Sequence, residues 1–275
     1  MINLSDKILE ETIIKRPNKS YKGTFGRITL IGGNKNFAGA IIMASSAAVY
    51  AGAGLVTTMT DKNNKTALNE ALPEAMYADY KKITDNKALI QNADVIVIGP
   101  GLGTNESSEK ILRNVLKLIG KNQKLIIDGS AITLIAKRKI KLPQAKIILT
   151  PHQMEWQRLS GIKIDEQNYT VNKKCQEKLN AIVVLKSHRT EIYTNDKCFK
   201  NTVGTPAQAT GGMGDTLAGM IAGFIGQFKQ TEQAVSAAIY MHSKIAEELS
   251  KNQYVVLPHQ IINNIPYYMK KYQKK

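Results

Sequence analysis

The stretch that decides the fold is Arg27–Thr60, which reads RITLIGGNKNFAGAIIMASSAAVYAGAGLVTTMT. It begins with RITLIGG, a short apolar run that ends in glycine, as is typical of a buried strand. The segment AGAIIMASSAAVYAGAG (Ala38–Gly54) has the small side chains of a helix, with glycines at its end. LVTTMT then returns to the strand pattern. The stretch therefore predicts a strand, a helix and a second strand.

The same alternation continues toward the C-terminus. Four more runs have the strand pattern and stop at a glycine, a proline or a polar residue: DVIVIGPG, KLIIDGS, KIILTPH and AIVVLKS. Helical stretches such as NESSEKILRNVLKLIG, with Asn105 as its cap, lie between them. Alternating strands and helices predict an α/β fold with a mainly parallel central sheet and helices on both faces.

After Gly204 the pattern contains helices only, with a long run from about Gly212 to Ser250 that is broken near Lys229. No linker rich in proline or serine and no internal repeat divides the chain. We therefore predict one domain over residues 1–275.

Composition limits the classes of protein. The 275 residues are 43% hydrophobic, enough for a full core, and contain no apolar run that approaches the roughly 20 residues of a membrane span. The N-terminus lacks the pattern of a signal peptide. Cys175 and Cys198 are far apart and form no metal-binding spacing. We expect a cytoplasmic protein without disulfides and without a membrane segment.

The net charge of +16 raises the question of an anionic partner. The lysines are spread along the chain and only six residues are arginine, whereas nucleic-acid-binding proteins concentrate both on one face. The one local cluster, YYMKKYQKK (Tyr267–Lys275), has the pattern of a solvated helix end. Small anions such as nucleotides fit this charge as well as nucleic acid does, and we predict them as partners, with a nucleic-acid-binding protein as the non-enzymatic alternative.

The chemically interesting residues follow the predicted strands. Because ligands of open α/β sheets bind beyond the carboxyl ends of the strands, these loops are expected to form one site. They are Gly32–Gly33, Gly99–Gly103, Asp128, Pro151–Glu155 and Lys186–Thr190.

Three of these loops each have a local and a functional interpretation. GPGLG (Gly99–Gly103) lacks the spacing of a dinucleotide fingerprint, so it is either a tight strand-to-helix turn or a close approach to a ligand. In TPHQMEW, His152 is a hydrogen-bonding loop residue or a ligand contact, Glu155 fits the first turn of a helix, and zinc is not indicated. KSHRT (Lys186–Thr190) is a polar hairpin or a turn that contacts a nucleotide.

The strongest motif is ATGGMGD, Ala209–Asp215. Glycines at a helix start let backbone N–H groups approach an anion closely, in the field of the helix dipole. That arrangement suits a phosphoryl group during transfer. A carboxylate there would repel the phosphate unless it acted as a base, so we predict that Asp215 accepts the proton of an attacking hydroxyl.

These motifs resemble a known family. TGGMGDTLAG resembles the anion-hole signature of the ribokinase-like superfamily, and GNKNFAGAIIMA, GPGLG, TPHQME and LKSHRT together resemble its ADP/ATP-dependent NAD(P)H-hydrate dehydratases, from about Gly23 to Ser250. The resemblance implies a lyase of nicotinamide nucleotide repair. Such enzymes phosphorylate the ring hydroxyl of the S epimer of NADHX or NADPHX and expel phosphate, which restores NADH or NADPH. ADP then yields AMP and phosphate, and ATP yields ADP and phosphate.

The resemblance also assigns residues and partners. It implies that Asp215 is the base. It also implies that Mg²⁺ binds without a direct protein ligand and contacts Glu155 through water. The expected assembly is a homo-oligomer such as a tetramer, and the epimerase is expected on a separate chain. The hydrate site would contain Ala40, Gly103, His152 and Asp215, the nucleotide site Lys186, Ser187, His188, Arg189, Thr190 and Gly214, and the anion hole Gly211, Gly212, Met213 and Gly214.

The chain departs from the family pattern at three places. Ser130 stands where a second acid is usual, Ser187 stands where a glycine is usual, and TPHQME lacks the common Pro-Gly. The alternative function is a ribokinase-like kinase that only phosphorylates a small alcohol, such as a vitamin precursor or a sugar. The main feature against a kinase is His152 in TPH, where such kinases more often carry asparagine.

Overall fold

The computed structural model describes residues 1–274, in which ten strands form a single sheet. The strands are β1 (Ile2–Asn3), β2 (Arg27–Ile31), β3 (Leu55–Thr60), β4 (Met76–Asp79), β5 (Val95–Ile98), β6 (Lys124–Ile127), β7 (Lys146–Leu149), β8 (Ile182–Leu185), β9 (Glu191–Tyr193) and β10 (Cys198–Lys200). The helices are α1 (Lys7–Thr12), α2 (Ala38–Tyr50), α3 (Lys65–Ala71), α4 (Lys87–Gln91), α5 (Glu106–Leu118), α6 (Gly129–Arg138), α7 (Gln153–Ser160), α8 (Tyr169–Leu179), α9 (Met213–Gln227), α10 (Thr231–Leu249) and α11 (Pro258–Tyr272).

The sheet has the order β1-β10-β9-β8-β7-β6-β5-β2-β3-β4. Neighbouring strands are parallel except for the two pairs that β9 makes with β8 and β10. The six strands predicted from the sequence are β2, β3, β5, β6, β7 and β8. The prediction of an α/β fold with a mainly parallel sheet is confirmed.

Helices cover both faces of the sheet, because the central strands are apolar on both sides. All four residues of β5 are buried, and so are all four of β8. One apolar core lies between the sheet and α2, α9, α10 and α11, and the other lies between the sheet and α5, α6 and α7. This burial on both faces is the usual environment of a parallel sheet.

The helix pair α2 and α9 packs unusually closely. A Cβ atom at Gly219 would lie 1.9 Å from the carbonyl oxygen of Ala44, and one at Gly223 would lie 2.6 Å from the Cβ of Ala51. Only glycine permits this approach. The glycines within α9 therefore let it pack closely against α2 between Ala44 and Ala51.

The C-terminal part of the chain is helical, as predicted. The long run expected from Gly212 to Ser250 consists of α9 and α10, and the break near Lys229 lies between them. Within residues 1–274, no helix combines the length and the apolar character that crossing a bilayer requires.

Candidate active site

The loops that follow β2, β5 and β6 are joined by hydrogen bonds at the carboxyl edge of the sheet. The N–H of Gly33 donates to the carbonyl of Pro100, and the N–H of Asn34 donates to that of Gly101, each at 2.8 Å. The N–H of Gly103 donates to Ser130 Oγ at 3.1 Å. GPGLG is therefore a tight turn between β5 and α5. Hydrogen bonds to the loop after β2 and to Ser130 in α6 hold this turn in place.

The TPH and KSHRT loops also lie beside each other. His152 and Lys186 form a parallel bridge that extends the pairing of β7 and β8, and the N–H of Lys186 donates to the carbonyl of Pro151 at 2.8 Å. KSHRT connects the antiparallel strands β8 and β9, so the hairpin interpretation of its backbone is correct. The side chains of Ser187 and His188 are exposed, whereas Arg189 and Thr190 are partly buried.

A buried ion pair joins these loops to the helix after β6. Lys186 Nζ lies 2.9 Å from Asp128 Oδ1, with 21% and 4% of the two side chains exposed. Thr150 Oγ1 donates to the same carboxylate oxygen at 2.6 Å. Burial lowers the pKa of Lys186, but the charges of Asp128 and Glu155 outweigh this effect and raise its pKa. Lys186 is therefore a fixed cation at neutral pH.

The ATGGMGD segment forms the start of α9 beside this cation. Gly212 has a φ angle of +93°, a conformation that L side chains rarely adopt, and a Cβ atom there would lie 2.4 Å from the Met43 methyl group. A Cβ atom at Gly214 would lie 3.3 Å from Lys186 Nζ, so the ammonium group contacts the first turn of α9. The first N–H groups of a helix lack partners within it. The segment therefore presents free donors and a lysine on the same side.

Asp215 lies in this first turn and is partly buried. Burial, followed by the negative charge of Asp128, raises the pKa of Asp215 to about 6, although Lys186 acts in the opposite direction. Glu155 raises it further. A carboxylate with a pKa of about 6 is a stronger base than an ordinary one and is still largely ionised at neutral pH. Asp215 thus has the electrostatic environment that a general base needs.

His152 is the N-cap of α7. Its Nδ1 accepts the N–H groups of Met154 and Glu155 at 3.1 and 3.2 Å, and Glu155 Oε2 accepts the His152 N–H at 2.8 Å. Because Nδ1 accepts, the proton of the neutral ring is on Nε2. His152 thus has the hydrogen-bonding role in the loop that the sequence suggested, and Glu155 lies in the first turn of α7 as expected. Because 51% of the His152 side chain is exposed, the ring is also accessible to a ligand.

Magnesium was predicted without a direct protein ligand. Among residues 1–274, no three His, Cys, Asp or Glu side chains are grouped so that they could hold a metal ion. Glu155 Oε2 is engaged by the His152 N–H, and Asp128 is engaged by Lys186. Two of the carboxylates near Asp215 are therefore already engaged by groups of the protein. Mg²⁺ commonly retains several waters and takes its remaining ligands from phosphates.

Contacts join several of the predicted site residues, and two residues to which the sequence assigned no role contact them. Ala40 approaches the GPGLG turn, because a Cβ at Gly101 would lie 2.9 Å from its own. Asp128 was noted only as a position at the sheet edge, yet it pairs with Lys186 and raises the pKa of Asp215. Ser130, noted as a departure from the family pattern, accepts the Gly103 N–H.

Similar proteins identify the family of this chain. The family model for NAD(P)H-hydrate dehydratase matches residues 28–267. A Lactiplantibacillus plantarum protein named ADP-dependent (S)-NAD(P)H-hydrate dehydratase is 53% identical over 271 residues, which are 98% of each chain. An Enterococcus faecalis protein with the same name is 50% identical and is matched over 98% of this chain and 93% of its own.

Solved structures agree with the fold. A ribokinase-like superfamily protein from E. faecalis has a TM-score of 0.98 at 48% identity, with 100% of this chain and 97% of that chain covered. The ADP/ATP-dependent NAD(P)H-hydrate dehydratase of Bacillus subtilis, co-crystallised with ATP/Mg²⁺, has a TM-score of 0.87 at 29% identity, with 99% of both chains covered. The ribokinase-like fold is confirmed, and this chain belongs to the NAD(P)H-hydrate dehydratase family.

Proposed function

We propose that this chain is a lyase that dehydrates the S epimer of NADHX or NADPHX to NADH or NADPH, with ADP or ATP as phosphoryl donor. The observation that carries the proposal is the position of Asp215, a carboxylate with a pKa of about 6 in the first turn of α9. A carboxylate at an anion-binding helix start is unfavourable for phosphate binding alone. It is useful where a hydroxyl must lose its proton to attack a phosphoryl group.

In the first step, Asp215 accepts the proton of the ring hydroxyl as that oxygen attacks the terminal phosphorus of ADP. The bond from oxygen to phosphorus forms, and AMP leaves with the electron pair of the broken phosphoanhydride bond. The N–H groups of Gly211, Gly212, Met213 and Gly214, with the Lys186 ammonium, stabilise the charge on the transferring phosphoryl oxygens.

In the second step, phosphate leaves with the electron pair of the carbon–oxygen bond. A proton is lost from the neighbouring ring carbon, and the double bond of the reduced nicotinamide forms again. Hydroxide is a poor leaving group and phosphate is a good one, which explains why a dehydration consumes a phosphoryl donor. The net products are the reduced nucleotide, AMP and phosphate.

The two substrates would meet beside Asp215. The hydrate would contact Ala40, Gly103 and His152, and the adenine nucleotide would contact Lys186–Thr190 and Gly214. The bridge between His152 and Lys186 and the contact between Lys186 and Gly214 support this arrangement, because they bring both sets of residues to the same turn of α9. Mg²⁺, bound by the nucleotide phosphates and contacting Glu155 through water, would neutralise phosphate charge.

We also propose a single domain, a cytoplasmic location and a homo-oligomer such as a tetramer, with the epimerase on a separate chain. The single sheet through residues 1–274 supports one domain. Cys175 and Cys198 are both free thiols, which fits a reducing compartment. The oligomer and the epimerase rest on the family resemblance.

One assay distinguishes this function from that of a kinase. Purified protein is incubated with hydrated NADH, Mg²⁺ and either ADP or ATP, while the absorbance of the reduced ring is followed and the nucleotide products are separated. We expect the absorbance to return in step with the formation of AMP and phosphate from ADP, and no return without a nucleotide. Accumulation of a phosphorylated product without recovery of the absorbance would identify a kinase and refute the proposal.

A further inference from the structure

A large cavity lies at the end of the sheet opposite the candidate active site. It has a volume of about 690 Å³, is open to solvent on one side, and is bordered by the residues before β2, the C-terminal ends of α2 and α9, and the C-terminal half of α11. We call it the basal cavity. Its apolar wall includes Ile13, Phe25, Val49, Phe228, Pro266 and Met269. Both the volume and the lining are typical of small-molecule sites.

The charged residues of the basal cavity all carry the same sign. Its lining contains Lys15, Arg16, Lys229 and Lys270 and includes neither aspartate nor glutamate. Within residues 1–274, none of these four cations forms a salt bridge. Four unpaired cations around an apolar wall produce a local positive potential that favours an anion with an apolar body.

Arg16 is held in place by neutral groups. Its Nη2 donates to Gln227 Oε1 at 2.8 Å and to the carbonyl of Gly52, and its guanidinium lies 3.8 Å from the centroid of the Phe25 ring. Both acceptors engage the same nitrogen, whereas a guanidinium has five N–H donors. The Nε–H and Nη1–H groups and the positive charge therefore remain available to a carboxylate, which they can bind through single charge-assisted hydrogen bonds.

We propose that the basal cavity binds an aliphatic carboxylate, with its hydrocarbon chain against the apolar wall and its head group on Arg16. This binding function is independent of the proposed dehydration. The exposed lysines at the rim, Lys229 and Lys270, add attraction for the head group. A neutral alcohol of the same chain length would keep the apolar contacts and lose the ionic ones.

The basal cavity is separate from the candidate active site. Ala40 and Gly212 lie at the N-termini of α2 and α9, whereas Tyr50 and Gln227, at the C-termini of the same helices, line the cavity. At 1.5 Å per residue these helices span about 20 Å. A carboxylate in the cavity should therefore bind together with a nucleotide rather than compete with it.

The experiment is a calorimetric titration of the full-length protein with octanoate, and with 1-octanol as the neutral control. We expect one octanoate per chain with a dissociation constant below about 1 mM. Because a hydrogen bond to a charged group is stronger than one to a neutral group, 1-octanol should bind at least about 10-fold more weakly. Saturation with AMP should leave octanoate binding unchanged. Equal affinities, or displacement by AMP, would overturn the proposal.

Two variants locate the site. Arg16→Gln should raise the dissociation constant for octanoate about 10-fold or more. Lys229→Gln/Lys270→Gln changes only exposed rim residues, so it should fold and still weaken binding, and it provides the test if Arg16→Gln does not fold. The matched control Lys121→Gln/Lys137→Gln removes the same charge from exposed positions outside the cavity lining and should have no effect.

If Lys229→Gln/Lys270→Gln left the dissociation constant for octanoate unchanged, the proposal would be contradicted. Failure of octanoate to bind, combined with dissociation of a homo-oligomer by Met269→Glu in sedimentation, would show that a second copy of the chain covers the cavity. That outcome would also overturn the proposal.

Discussion

The buried pair of Lys186 and Asp128 makes a quantitative prediction about stability. At 2.9 Å and an effective dielectric constant of about 20, two unit charges attract by about 6 kcal/mol before the cost of desolvation is subtracted. Removal of one partner from a buried pair typically costs about 3–5 kcal/mol, because the remaining charge is left without compensation. Lys186 is partly exposed and Thr150 still donates to Asp128, so Lys186→Met should lower the free energy of unfolding by about 3 kcal/mol.

The measurement is urea unfolding of the protein without nucleotide at pH 7. Lys186→Met/Asp128→Asn should recover most of the lost free energy, since it removes the unpaired charge and keeps an acceptor for Thr150. Lys251→Met is the matched control, because its pair with Glu248 is shorter, at 2.6 Å, but largely exposed, so its effect should be far smaller. A loss for Lys186→Met no larger than in the control, or no recovery in the double variant, would refute the reasoning.

Three further predictions concern the site. Burial and then Asp128 raise the pKa of Asp215 to about 6, so kcat/KM should fall as the pH decreases through about 6, and Asp128→Asn should shift this fall to lower pH in a pH–rate profile. An unchanged profile would contradict the role of Asp128. His152→Ala should cost about 1 kcal/mol in thermal unfolding through loss of the α7 cap, and should raise KM for the hydrate but not for ADP in steady-state kinetics. Equal increases would instead indicate a purely structural role. Gly212→Ala should destabilise the protein by about 1–2 kcal/mol because of its φ angle of +93°, whereas the control Gly211→Ala, in open space, should melt normally. Equal melting temperatures of the two variants would contradict the left-handed conformation.

The sequence was informative where the structural signal is local. Six of the ten strands could be predicted because a parallel strand that is covered on both faces is mostly apolar, as Val95–Ile98 is. β1 was not predicted, since Ile2–Asn3 is only two residues long and becomes a strand by pairing with Phe199 and Lys200, almost 200 residues away. Nothing in two residues can indicate such a partner.

The candidate site likewise combines features that local sequence indicates with features that depend on residues distant in sequence. The glycines before Asp215 and the loops at the strand ends were found from local spacing. Asp128 was not assigned a role, because its importance depends on Lys186, which is 58 residues away in sequence. Ser130 was treated as a departure from a pattern, and only the structure identifies the Gly103 N–H as its donor. The basal cavity was also missed, because its wall combines residues from five separate segments.

The central claim is that Asp215 is the general base, and Asp215→Asn tests it most directly. Asparagine has nearly the same shape and cannot accept the proton, so turnover at saturating ADP and hydrate should fall by about 10²–10⁴-fold. AMP should bind as well as before or more tightly, since a negative charge beside the phosphates is removed. Thermal unfolding should confirm that the fold is kept. A folded variant with near-normal turnover would contradict the account.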